Sequence, residues 1–261
     1  MQRIDAWMTR DPICVGSGTP ISECAQLMHN KHIRHLPVTD RDGRLISLLA
    51  DFEIFQRGWM AGQIWVPHDD ADQWLRAQDL ARAADVVCSP EDSLSGALQD
   101  LRRSFHDAVV VVADGVPVGI LTEHDVVVYA AQRLVNGVGT VIKDTELLSV
   151  QRGELAVVAR GGMAANRVRH LVVLDGERLH GVLSFRDVAV ESQLDGVRCE
   201  DVVSFGPVHH AVGGISRLDA ARIMAKEKIG CLPVVDEEGR PIQMITRSDL
   251  VGAVLQQLVA A

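Results

Sequence analysis

Three short segments of this chain share a spacing that suits one kind of chemistry. Thr122-Glu123-His124-Asp125, Ser184-Phe185-Arg186-Asp187 and Thr246-Arg247-Ser248-Asp249 each place a hydroxyl residue three positions before an acid. A fourth, Ala50-Asp51-Phe52-Glu53, keeps only the acid end. Hydroxyl-x-x-acid is a capping box, in which the hydroxyl caps a helix start and the acid caps it back. Such a start still has free backbone N–H groups, a positive dipole end and a carboxylate acceptor. It can serve the helix alone or hold a ligand as well, and the spacing does not choose between the two. Basic residues stand close by. Arg34-His35 precedes Leu36-Pro37, Arg169-His170 precedes Leu171-Val172, and Arg186, Arg247 and His124 lie inside the segments. The planar donor fork of arginine suits phosphate. Solvated helix-end residues favoured by the dipole are the plainer use, but recurrence of the pair at the same place favours the first. No nucleophile–base constellation, Walker lysine loop or metal cluster stands out, so the chain is not expected to be an enzyme or to need a cofactor. His209-His210 reads as surface histidine.

These segments recur because larger units recur. The closing acids fall at 53, 125, 187 and 249, at intervals of 72, 62 and 62 residues. Each is preceded by two apolar strands joined at an Asp-Gly or Asp-x-x-Gly turn, a hairpin signal. Ahead of the hairpins lie helical stretches. Ile21, Cys24, Ala25 and Met28 follow a helical stripe with Thr19 as N-cap and Pro20 at the first turn, and Leu94, Ala97, Leu98 and Leu101 repeat it behind Asp92. In the third copy Gly161-Gly162 should weaken the helix end. Each unit reads strand, helix, strand, strand, helix. Val109, Val110, Val111 and Val112 form an apolar run without alternation, as for a strand covered on both faces. Units of about 60 residues are marginal alone, so they should pair, first with second and third with fourth. The seam falls at 132–139, where Asn136, Gly137 and Gly139 mark a linker. The extra ten residues of the first interval fall in an insertion at 56–79 that holds Trp59, Trp65 and Trp74, read as core packing by default or as an association surface if exposed.

Composition bounds the rest. The 261 residues are 47% apolar and only 4% aromatic, which suits β-branched strands under Ala- and Leu-rich helices and excludes disorder. A net charge of −9 argues against nonspecific nucleic-acid binding. No apolar run reaches the roughly 18–20 residues of a membrane helix, and the first residues lack a signal-peptide core. Five scattered cysteines without C-x-x-C read as buried thiols in a reducing cytoplasm.

The Leu-Pro-Val strand, the acid–glycine turn and the [ST]-x-x-D helix start, four times in order, resemble the cystathionine β-synthase (CBS) domain family. The resemblance implies an α/β (α+β) fold of four CBS repeats paired into two pseudo-twofold Bateman modules. The expected modules are 1–135, with repeats 1–57 and 79–133, and 136–261, with repeats 138–192 and 196–257. It further implies clefts that bind adenosine-containing regulatory ligands such as AMP, ADP, ATP or S-adenosylmethionine, and control of a regulated partner protein. A homodimer is among the expected assemblies. The acid would take the two ribose hydroxyls, strand residues would flank the adenine, and the basic residues would meet phosphate. The candidate ligand residues are Ser184, Asp187, Arg169, His170 and Arg186 in the third copy, and Thr246, Asp249 and Arg247 in the fourth. Thr122 and Asp125 in the second and Arg34 and His35 in the first complete the set. In the first copy Ala50 and Glu53 depart from the motif, and in the second Phe105-His106-Asp107 replaces the basic pair. The phosphorylated ligand is therefore expected mainly in the C-terminal module. The competing reading is a ligand-free scaffold whose repeats serve assembly.

Overall fold

The structure is a computed structural model that describes residues 2–61, 63–104, 106–135, 147–166, 168–190, 196–203 and 209–260. The expected linker residues Asn136, Gly137 and Gly139, and Phe105, lie outside the described residues.

Four three-stranded motifs repeat the same topology. In the first, Val15–Gly16 runs parallel to His35–Thr39, which runs antiparallel to Leu45–Ala50. The counterparts are Val87–Cys88, Ala108–Ala113 and Val116–Thr122 in the second, and Ser149–Gln151, His170–Asp175 and Arg178–Ser184 in the third. Ala211–Val212, Cys231–Val235 and Pro241–Thr246 form the fourth. Every middle strand carries a register shift near its end, at Val38/Thr39, Val111/Val112, Val173/Leu174 and Val234/Val235. Each parallel step is bridged by a helix, namely Ile21–Lys31, Leu94–Arg103, Ala156–Asn166 and Arg217–Lys226. Each hairpin leads into a second helix: Asp51–Phe55, Glu123–Arg133, Phe185–Val190 and Arg247–Ala260.

Two expected helix caps need correction. The first helix begins at Ile21 with Pro20 as its N-cap, and Thr19 makes no cap. Ser93 rather than Asp92 caps the next one, accepting from Gly96 N, while Asp92 accepts from Ser89 N in the turn before. The third helix runs straight through Gly161-Gly162 to Asn166, because buried Ala159 and Met163 anchor the turns on either side.

Packing joins the repeats in two directions. Strand faces meet between the first and second repeats, where Leu48 packs with Ala108, Val110 and Ile120 and Leu45 N donates to Gly115 O. The third and fourth repeats make the corresponding bond, Leu179 N to Gly239 O. Helices meet the other way. Val127, Ala130 and Leu134 of the second repeat share one core with Ala221, Leu250 and Val254 of the fourth, while Cys24, Met28 and Ile54 share another with Ala159, Met163 and Val188. The valine run serves both directions: Val109 and Val111 face the helical core, Val110 the inter-sheet core. The repeats therefore close a ring, first to second by sheets, second to fourth by helices, fourth to third by sheets, third to first by helices.

Short leading segments are exchanged between paired repeats. Thr9–Arg10 adds to the edge of Val116–Thr122, and Ile4 N bonds to Asp92 O. Reciprocally, Ile21 N bonds to Leu75 O and Ala77 N to Thr19 O, seating the short helix Ala77–Leu80 on the first repeat. Cys199–Val202 sits on the third repeat in the same way, with Cys199 N bonded to Glu154 O. The end of the expected 56–79 insertion is thus such a leading segment. The remainder forms the hairpin Gly58–Ala61 and Ile64–Pro67 and the 3-10 turn Asp70–Trp74. It packs beside Ile21–Lys31 and Phe185–Val190, filling space that the five-residue helix Asp51–Phe55 leaves. Gly58 is required there, since a Cβ would collide with the Val66 carbonyl and the Trp65 ring. Trp65 is buried and Trp59 half-buried, but Trp74 is 71% exposed, so core packing does not describe all three.

Candidate functional site

The helix starts meet in pairs across the helical seams: Arg186 of the third repeat faces Asp51 of the first, and Ser248 of the fourth donates to Glu123 of the second. At Ser184 the capping box is complete: Asp187 Oδ2 accepts from Ser184 N at 2.7 Å, and Ser184 Oγ accepts from Asp187 N at 3.3 Å. At Thr122 and Thr246 the hydroxyl instead donates to the acid, 2.8 Å to Asp125 Oδ2 and 2.8 Å to Asp249 Oδ2, and each of those oxygens also accepts the Thr N–H. The reciprocal cap expected there is therefore half replaced. Glu53 Oε2 accepts from Ala50 N at 3.1 Å, and Glu53 Oε1 lies 3.8 Å from Arg82 Nε.

The acids differ in what their remaining oxygen meets. Asp125 Oδ1 accepts from the Thr9 hydroxyl at 3.0 Å, a residue of the exchanged N-terminal segment. Asp187 Oδ1 has no hydrogen bond among the described residues, and Asp187 lines a cavity of about 440 Å3 between the third and fourth repeats. Burial pushes the Asp187 carboxyl up from its ordinary value, opposed by the bonds from Ser184.

The cavity wall combines three kinds of group. Asp187 and Ser184 supply acceptors; Val182, Val203, Ile229 and Pro233 supply apolar surface; Arg34, Arg186, Arg247 and Lys228 supply positive charge. His170 also lines it. Burial, with Arg34, Arg247 and Arg169 nearby, pulls that imidazole down to about 3, so it is neutral at pH 7. Gly230 makes this approach feasible, because a Cβ there would stand 2.8 Å from the His170 ring. Arg247 Nε is buried without a hydrogen-bond partner among the described residues. Arg34 comes from the first repeat, across the helical seam, and burial lowers it to about 10, so it stays charged.

Behind this wall sits Asp51, 1% exposed. Its Oδ1 lies 2.7 Å from Arg169 Nη1; its Oδ2 lies 3.4 Å from Arg186 Nε and 3.9 Å from Arg34 Nε. Burial raises its pKa, but the three guanidiniums win and hold it down at about 2. Arg169 also faces Asp107 at 3.6 Å, and Arg186 Nη2 donates to Ile33 O at 2.9 Å. On the far side Glu123 accepts a hydrogen bond from Ser248, and burial with nearby Asp107 pushes Glu123 up to about 7.

Of the residues singled out in the sequence, Ser184, Asp187, His170, Arg186, Arg247 and Arg34 converge on the cavity. Arg169 does not reach its wall; it is spent on Asp51 and Asp107. His35 is turned inward, with Nε2 2.6 Å from His106 O. Thr122 and Asp125 face Thr9, and Thr246 and Asp249 are not on the cavity wall. Sequence reasoning missed Asp51, although a signal was present: the residue just after the hydroxyl position is Asp51, Glu123, Phe185 and Arg247 in the four copies, charged in three of them. It also missed Val203, in a segment with no periodic pattern.

Comparison with known proteins fits this architecture. The CBS domain family model matches residues 4–57, 77–132 and 207–256. This chain belongs to the CBS domain family. The third repeat, outside those matches, has the family topology in the structure. A CBS domain-containing protein of Dictyostelium discoideum is 30% identical over 124 residues, covering 39% of this chain and 79% of that protein. Among solved structures, protein MJ1225 of Methanocaldococcus jannaschii, proposed as an archaeal homolog of g-AMPK, aligns with a TM-score of 0.78 at 20% identity, over 97% of this chain and 99% of its own. An uncharacterized conserved protein of Pyrococcus horikoshii aligns with a TM-score of 0.68 at 22% identity, over 97% and 100%. These two likenesses concern the fold. No helix among the described residues is long and apolar enough to cross a membrane.

Proposed function

We propose that this CBS protein is a regulatory sensor that binds an adenosine-containing nucleotide in the cavity between its third and fourth repeats. The observation that carries the reading is the cavity wall itself. A carboxylate with one open oxygen, an apolar slot and four cations form one surface. Each group matches a part of a nucleotide. Asp187 Oδ1 is an acceptor for the paired ribose hydroxyls; Val182, Val203, Ile229 and Pro233 suit the adenine faces; Arg34, Arg186, Arg247 and Lys228 suit a phosphoryl group. The Ser184 and Asp187 backbone is fixed by its own capping bonds, so the acceptor is preorganised.

The equivalent acids elsewhere are less available. Asp125 is engaged by Thr9 and Glu53 faces Arg82, which supports a site mainly in the C-terminal half, residues 136–261. Binding there would press on the third and fourth repeats and, through Arg34, on the first. That linkage is how an occupied cavity could alter the surface offered to a regulated partner. A thermal-shift panel with adenosine, AMP, ADP, ATP, S-adenosylmethionine and NAD tests the reading. A ligand at 100 times its dissociation constant adds roughly 2.7 kcal/mol to the native state, which is several degrees for this size. A flat response to the whole panel at millimolar concentration would favour the ligand-free scaffold, and turnover of a bound nucleotide would favour an enzyme.

A further inference from the structure

The structure assigns Asp51 the role of a resident counter-anion that restricts the cavity to adenosine compounds carrying at most one phosphoryl group. This rests on the nucleotide reading of the cavity, and three observations carry it. First, Arg34 and Arg186 belong to two things at once. They are walls of the cavity, and they face the Asp51 carboxylate at 3.9 and 3.4 Å. Second, Asp51 is buried, tied to Arg169 at 2.7 Å, and fixed at its backbone by a bond from Asp51 N to Arg34 O. A negative charge held at that place by the chain competes with any phosphate from solution without an entropic penalty. Third, the cations that remain are few. Arg247 and Lys228 have no ion pair among the described residues, and Arg247 Nε is a buried donor without a partner. Two cations suit one phosphoryl group.

A second or third phosphoryl group would have to be held by Arg34 and Arg186, whose charge Asp51 already offsets from behind the wall. It would enter a centre that also holds Asp107, 3.6 Å from Arg169, and Glu123. Like charges at such distances in a desolvated site are strongly unfavourable. The discrimination is therefore by repulsion and prior occupation rather than by size. The residue after the hydroxyl position is Asp51 in the first repeat, Glu123 in the second, Phe185 in the third and Arg247 in the fourth, and of the two acids only Asp51 faces the cavity's arginines within 4 Å among the described residues.

Calorimetric titration of the full-length protein and its Asp51→Asn variant tests this, with adenosine, AMP, ATP and inorganic tripolyphosphate as probes. The wild-type protein should bind AMP more tightly than ATP. Asp51→Asn should gain at least about tenfold for ATP and for tripolyphosphate, while adenosine changes less than about threefold. Unchanged ATP and tripolyphosphate affinities in a variant that melts cooperatively would overturn the role of Asp51, as would an equal gain for adenosine. If no adenosine compound binds either protein but tripolyphosphate gains in the variant, the nucleotide reading fails and the counter-anion stands. Should Asp51→Asn not fold, Arg169→Gln is compared with Asp51→Asn/Arg169→Gln. Tighter tripolyphosphate binding by the double variant supports the inference, and equal binding contradicts it.

Discussion

Two carboxylates in the same kind of position have been driven in opposite directions by their neighbours. Asp51 and Glu123 each follow the last residue of a hairpin, at the first turn of a helix. Three guanidiniums around Asp51 overcome its burial, whereas Glu123 has Asp107 nearby and only the more weakly felt Ser248, Arg247 and Arg169 to offset desolvation. The folded-state pKa of Glu123, about 7, lies above the ordinary 4.5, so the native state holds the proton longer than the unfolded chain. Its contribution is most favourable below pH 4.5 and erodes as pH rises towards 7. Glu123→Gln removes that titration, so denaturant melts should show the variant gaining on wild type between pH 5 and pH 8. A difference that stays constant across that range contradicts the assignment. Glu53 makes a different case. It is buried, accepts from Ala50 N and lies off the cavity wall. Glu53→Ala should cost about 1–3 kcal/mol of stability in urea melts, the range for a buried N–H left unsatisfied, and leave nucleotide affinity unchanged.

At the scale of elements, what the sequence discloses is what repeats with a period. The four hairpins are announced by β-branched runs and Asp–Gly turns, and the helices by stripes such as Ile21, Cys24, Ala25 and Met28, all buried. The exchanged segments are not announced. Thr9–Arg10 and Ala77–Leu80 are two and four residues long, too short for any period, and their place is fixed by pairing with distant residues such as Ile120 and Thr19. The same holds for the site. The motif acids were legible because they recur, but that Arg34 crosses to the other module's cavity depends on how the helical faces of the first and third repeats pack. The glycine pair was legible as a weakness, and the helix nonetheless continues through it to Asn166. A Cβ at Gly161 or Gly162 meets nothing within 4 Å. Gly161→Ala and Gly162→Ala should therefore each stabilise the protein by about 0.5–1 kcal/mol. A lowered melting temperature in either variant would mean that the helix is not the native state there.

The whole molecule closes in a ring whose two kinds of seam do different work. The inter-sheet seam of the third and fourth repeats carries the cavity beside Asp187, and the helical seam of the first and third brings charged residues of opposite modules to one centre. Arg34 couples them, standing in the first repeat and lining the cavity of the third and fourth. Arg34→Gln leaves Asp51 less fully offset, so it should weaken AMP binding about three- to tenfold through that charge and leave adenosine binding nearly unchanged, a long-range effect readable by calorimetry. If both ligands lose equally, Arg34 acts through the fold and not through the charge balance at Asp51. The central claim, that the cavity beside Asp187 is an adenosine site, is tested most directly by titrating AMP into wild-type protein and Asp187→Ala. The account predicts saturable binding by the wild type and an affinity roughly ten- to a hundredfold weaker in the variant, the range for a hydrogen bond to a charged group. Saturable binding of equal strength in both proteins, or none in the wild type at millimolar AMP, would contradict it.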